Sequence, residues 1–117
     1  MLGNARVAPT LAVSDLKRAR EFYEGRLGLT VEAVVGETIR YSCGHGTGLA
    51  LFERPMTPID RTVAAFEVED IEREVRELMD TGVVVEGVVS LPGGLKRAFF
   101  KDPDGNVIGI RQLPSEA

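Results

Sequence analysis

Residues 7–16 read VAPTLAVSDL and residues 62–71 read TVAAFEVEDI. Slid by 55 positions, Val68 falls on Val13, Asp70 on Asp15 and Ile71 on Leu16. Each stretch is a strand-like apolar run, then an aspartate, then the first residue of a helical pattern. The identities are few, so the repeat is one of pattern rather than of letters. Its weight comes from the order of elements, which recurs downstream of both stretches.

In the first half Arg6–Val13 is the strand candidate, and Asp15 or Ser14 can cap a helix by accepting from free backbone N–H groups. Leu16, Ala19, Phe22, Tyr23 and Leu27 then recur at helical spacing, and Gly25 and Gly28 mark the exit. Three β-branched, apolar segments come next: Leu29–Val35, Thr38–Cys43 and Leu49–Phe52. Glycine-bearing turns separate them, the second reading Gly44-His45-Gly46-Thr47-Gly48. The second half repeats the order. Arg61–Val68 is a strand, Asp70 caps a helix striped with Ile71, Val75, Leu78 and Met79, and Gly82 ends it. Strands follow at Val83–Val89, Leu95–Lys101 and Val107–Leu113. Asp102-Pro103-Asp104-Gly105-Asn106 is a turn with a mechanism, since Pro presets φ and Gly accepts φ > 0.

The pattern predicts an α+β fold of two tandem βαβββ modules, at about 5–54 and 61–113, joined by a proline-bearing linker at about 54–60. Together they are expected to form a single domain over residues 1–117, a length that suits one core better than two. Each helix covers one face of a curved mixed sheet. The other faces are expected to enclose a cavity, where ligands bind. Open apolar faces on so short a chain also predict pairing in a homodimer.

Composition excludes several function classes. The net charge is −4, and the 14 basic residues alternate with acids, so no basic face is available for nucleic-acid phosphates. No apolar run approaches a membrane span, and no signal peptide is evident. With a single cysteine, Cys43, no internal disulfide can form, and a cytoplasmic location is the expectation. One histidine, His45, leaves no histidine-rich metal centre within one chain.

Three ordered motifs resemble the vicinal oxygen chelate superfamily, which includes glyoxalase I, extradiol dioxygenases, fosfomycin-resistance transferases and bleomycin-resistance proteins. Val13-Ser14-Asp15-Leu16 with Phe22-Tyr23 and Leu27-Gly28-Leu29 resembles its first module. Ala65-Phe66-Glu67-Val68-Glu69-Asp70-Ile71 resembles the start of its second, and Phe99 to Asn106 its closing hairpin. The resemblance spans about residues 6–113. It implies metal ligands on the first strand of each module and on the last strand. Here those positions hold Ala8, Val63 and Gly109, with the fourth near Leu51 and Glu53 two residues on. A methyl, an isopropyl and a hydrogen have no lone pair to give, so the Lewis acid that family enzymes use is not expected. The metal-free bleomycin-resistance branch, which sequesters a ligand, is the better match, with no cofactor.

Strand alternation extends the site prediction. If Ala8 and Val63 face inward, so do Thr10, Ala12, Ala65 and Glu67, and Gly109 brings in Val107 and Arg111. The ligand-binding candidates are therefore Thr10, Leu51, Glu53, Val63, Glu67, Phe99, Gly109 and Arg111. Two readings remain open. One is a protein that binds or sequesters a small molecule in an apolar cavity. The other is a divergent lyase, isomerase or dioxygenase-like enzyme using Glu67, Glu53 or His45 as acid–base groups, or displaced metal ligands.

Overall fold

A computed structural model describes residues 1–55 and 62–114 of the 117-residue chain. The chain divides into two compact units, Met1–Thr57 and Pro58–Ala117. Most of the expected linker, 56–60, and the expected strand start Arg61 lie outside the described residues.

In the first unit, β1 (Thr10–Val13) leads into α1 (Leu16–Arg20), which runs on as a π-helical turn over Glu21–Arg26. Strands β2 (Thr30–Val35), β3 (Thr38–Ser42) and β4 (Gly48–Glu53) complete it. The sheet order is β1-β4-β3-β2, with β1 parallel to β4 and the other pairs antiparallel. The second unit has β5 (Thr62–Glu67), α2 (Ile71–Asp80), β6 (Val85–Ser90), β7 (Lys96–Lys101) and β8 (Val107–Gln112). Its order, β5-β8-β7-β6, is the same topology again. The two βαβββ modules are thus present, each with a mixed four-stranded sheet.

The first strand is shorter than the Arg6–Val13 expected. Pro9 has no N–H for a ladder, and although its carbonyl accepts from Ala50 N at 2.9 Å, regular pairing begins at Thr10. The helix beyond it departs from the α-form, because Leu27 N donates to Phe22 O, five residues back. Phe22 and Tyr23 are both buried on this widened turn.

Both helices start as the aspartates require. The Asp15 carboxylate accepts from Arg18 N at 3.1 Å, and that of Asp70 accepts from Arg73 N at 3.2 Å. Each helix end has a second cap from the last strand of its own module, which the sequence did not predict. Glu53 Oε2 accepts from Leu16 N and Gln112 Oε1 from Ile71 N, both at 2.9 Å. A helix start leaves several donors free, and here strand and aspartate share them.

The covered sheet faces hold the cores. In the first unit these are Leu11, Val13, Ile39, Tyr41, Leu49 and Leu51 against Ala19, Phe22 and Tyr23. Tyr23 and Tyr41 stack at 6.2 Å between ring centroids. In the second unit Ile71 and Val75 of α2 are buried, as are Ala98, Phe100, Ile108 and Ile110 of the sheet. Each fully buried aliphatic side chain of this size contributes about 1.5–3 kcal/mol. Met79, expected in this core, is exposed. Ile71, Val75 and Leu78 at i, i+4 and i+7 centre the stripe, and Met79 at i+8 falls on its edge, near the end of the helix.

Candidate functional site

The uncovered face of each sheet carries the residues that could meet a ligand. On the first unit, Thr10, Ala50 and Arg40 stand in one row across β1, β4 and β3. Ala12, Phe52 and Thr38 form the next row. Ala8 joins this face, since a Cβ built on Gly48 would lie 3.6 Å from the Ala8 Cβ. β2 bulges between Val31 and Ala33, and the extra residue, Glu32, meets two arginines. Arg6 Nη2 and Arg40 Nε each lie 3.4 Å from the Glu32 carboxylate. Arg6 also donates to Thr47 O at 3.0 Å. The positive charges on this face are therefore neutralised or tied to backbone, and Arg54 stacks over Phe52 at 5.7 Å.

On the second unit the uncovered face is built around Gly109. A Cβ there would lie 3.3 Å from the Ala65 Cβ, 3.4 Å from Thr62 Cγ2 and 3.6 Å from Phe99 Cε1. These three side chains close over the glycine and make an apolar floor. Beside it, Arg97 on β7 stands directly opposite Arg111 on β8, and Glu67 on β5 flanks Arg111. The Arg97 guanidinium lies over the Phe99 ring at 5.4 Å.

The sequence-derived candidates sort unevenly onto these faces. Thr10 lies on the open face of the first unit, and Glu67, Phe99, Gly109 and Arg111 on that of the second. Val63 is the extra residue of a bulge between Thr62 and Ala64. Leu51 does not reach an open face: it is fully buried opposite Leu11 and Ile39. The residue in register with Thr10 is Ala50, so Ala50 is the counterpart of Gly109. A one-residue shift along a strand turns the side chain to the other face. Glu53 shares the covered face, where its carboxylate caps α1. Arg40, Glu32 and Arg97 were not anticipated. The alternation of β3 and β7 could have located Arg40 and Arg97, whereas Glu32 depends on a bulge.

His45 sits exposed at the tip of the β3–β4 turn with φ 57°. Cys43 is half-buried, and that burial raises its thiol pKa, with Arg6 lowering it by a smaller amount. Among the described residues, no three His, Cys, Asp or Glu side chains group as a metal would require. The positions that the resemblance assigns to metal ligands hold Ala8, Val63 and Gly109, none of which has a side-chain donor atom.

A sequence model described as Glyoxalase/Bleomycin resistance protein/Dioxygenase superfamily matches residues 5–110. The chain belongs to this superfamily. Among solved structures, it resembles SMU.1112c at TM-score 0.82 and 29% identity, covering 92% of this chain and 98% of that one. TnmS3, an antibiotic binding protein from Streptomyces sp. CB03234, matches at TM-score 0.76 and 30% identity, covering 96% and 98% of the two chains. A glyoxalase/bleomycin resistance protein from the same Streptomyces strain matches at TM-score 0.76 and 31% identity, covering 92% and 100%. No curated protein sequence matches. No helix among the described residues is long and apolar enough to cross a membrane.

Proposed function

We propose that this superfamily member binds or sequesters a small molecule and does so without the superfamily's metal. The observation that carries this reading is the donor-free set Ala8, Val63 and Gly109 at the family's ligand positions. Two more observations support it. Glu53, a candidate acid–base group, is committed to the start of α1 at 2.9 Å. The uncovered face of the second unit joins an apolar floor to polar side chains, the composition of a binding surface. TnmS3, at 30% identity, is named for antibiotic binding. The two modules act as one domain, the protein works as a cytoplasmic homodimer, and its partner is a small molecule rather than nucleic acid or membrane.

A thermal-shift panel of aromatic, glycopeptide and dicarbonyl compounds, run beside bound-metal analysis of the purified chain, tests the reading. At a ligand concentration one hundred times Kd, binding adds about 2.7 kcal/mol, enough to raise Tm by several degrees. The expected result is such a rise with at least one compound and no stoichiometric divalent ion. A panel that leaves Tm unchanged, or a ligand response that requires a stoichiometric divalent ion, overturns it. A light-scattering mass equal to one chain removes the dimer.

A further inference from the structure

We propose that Arg97 and Arg111 form an oxyanion site for an aromatic acid whose ring lies along Phe99. The proposal rests on the binding reading above and names its ligand class. The β7–β8 register sets the two arginines directly opposite one another on the uncovered face. Like charges in that relation destabilise a sheet unless something answers them. The structure supplies no answer. Glu67 flanks Arg111, and Glu86 on β6 stands opposite Phe99, yet among the described residues no ion pair joins either carboxylate to either arginine.

The first unit shows what an answered face looks like. There Arg6 and Arg40 converge on Glu32. In the second unit two guanidinium groups, each with five N–H donors, keep their donors for an external acceptor. Their planar forks suit carboxylate or phosphate oxygens bidentately. Phe99, Ala65 and Gly109 continue the same face as apolar surface, so the favoured ligand carries its anion on a flat apolar body. Arg97 already covers part of the Phe99 ring, which fixes its guanidinium near the place the ring of a ligand would take.

Calorimetric titration of the full chain at low salt tests this with naphthalene carboxylate, naphthyl phosphate and neutral naphthamide. At least one acid is expected to bind about tenfold tighter than the amide, with the preference shrinking as salt is added. The two acids separate a carboxylate site from a phosphate site. Arg97→Gln and Arg111→Gln are each expected to remove most of the preference without lowering Tm, since each also relieves the like-charge pair. Lys17→Gln, which removes one exposed positive charge from α1, controls for net charge and should leave the preference intact. Equal binding of acids and amide, or a preference that survives both arginine substitutions, overturns the proposal. If neither acid binds while another panel compound raises Tm, the anion site falls and the binding function stands. If no compound of any kind binds, both fall.

Discussion

The two modules share one topology and differ in the side chains that hold it. An offset of 59 relates their last two strands. It carries Cys43 onto Asp102, Thr47 onto Asn106, Tyr41 onto Phe100 and Glu53 onto Gln112. In the first module the turn between the last two strands is rich in glycine and closes by backbone bonds, Cys43 N to Thr47 O and Thr47 N to Gly44 O, with the Thr47 hydroxyl also donating to Gly44 O. In the second module the corresponding turn closes around a buried carboxylate. Asp102 accepts from Asp104 N, Asn106 N and Asn106 Nδ2, at 2.9, 2.9 and 2.8 Å. The helices differ too. The first is tied to its sheet by stacked tyrosines and by Tyr41 Oη donating to Glu24, the second by aliphatic packing and a surface pair, Lys96 to Glu72. A shared fold therefore constrains positions and burial more than it constrains bonding.

The largest effect should come from the turns. Asp102→Ala removes three accepted hydrogen bonds at a site that is 5% exposed, leaving donors of a buried turn unmet. A loss of about 3 kcal/mol is expected in chemical denaturation. The matching change in the first module, Cys43→Ala, removes only a half-buried thiol and should cost under about 1 kcal/mol. Similar losses from both would break the claim that the side chain at this position holds the second turn and not the first.

Next comes the approach of strands around Gly48. A Cβ there would lie 3.0 Å from Tyr41 O and 3.1 Å from Arg6 Nη2. The carbonyl belongs to backbone and cannot swing away, so Gly48→Ala is expected to cost about 1–3 kcal/mol. The second module carries Val107 at the corresponding position, so Val107→Ala should show no comparable crowding. Gly48→Ala without a shift in the denaturation midpoint would mean that β3 and β4 can separate freely.

A smaller effect should come from making the first module resemble the second. Tyr41→Phe supplies the residue type found at position 100 and removes the hydroxyl that donates to Glu24 at 2.9 Å. Arg20 still holds Glu24, through Nε at 2.7 Å and Nη2 at 3.3 Å, so a loss of about 1 kcal/mol is expected. The arrangement also sets a pH dependence. The Arg20 hydrogen bond holds the Glu24 carboxyl below its ordinary 4.5, against the opposing effect of burial. The folded pKa is the lower one, so this stabilisation is full above pH 4.5 and is lost as pH falls through the folded value. Burial, then the bond to Glu24, raises the Tyr41 phenol above its ordinary 10.0. That contribution is present below pH 10 and is lost as pH rises past it. Glu24→Gln should remove its share of the acid limb. An unchanged acid limb in that variant would contradict the linkage.

Legibility in the sequence depends on the range of each interaction. The caps at Asp15 and Asp70 were readable because each carboxylate binds an N–H three residues on, within one turn of chain. The caps from Glu53 and Gln112 were not, because they span 37 and 41 residues and depend on where a distant strand ends. The site shows the same limit. A single offset of 55 aligns Asp15 with Asp70 and carries β2 onto β6, but the last two strands need 59. Sequence alone puts the partner of Gly109 near Leu51, one residue from Ala50 and so on the wrong face. Glu32 was invisible for a related reason, since a bulge suspends the alternation that assigns faces. Element order and core survive such slips, because each apolar run is longer than one residue. A site residue does not.

The smallest expected effect lies at His45, the non-glycine residue with positive φ among those described. Holding an L side chain in that conformation costs about 1 kcal/mol, and glycine would release it. Glycine also adds unfolded-state freedom worth roughly 0.5–1 kcal/mol, which opposes the gain. His45→Gly should therefore move the denaturation midpoint little, and upward if at all. The imidazole is exposed at the turn tip, so nothing in the fold should depend on it. A loss above about 1 kcal/mol would show that the ring makes a stabilising contact. A binding defect without such a loss would place His45 in the ligand site and revive its reading as an acid–base group. The first module would then hold chemistry in its glycine-rich turn where the second holds only structure, and the contrast between the two turns would be one of function as well as stability.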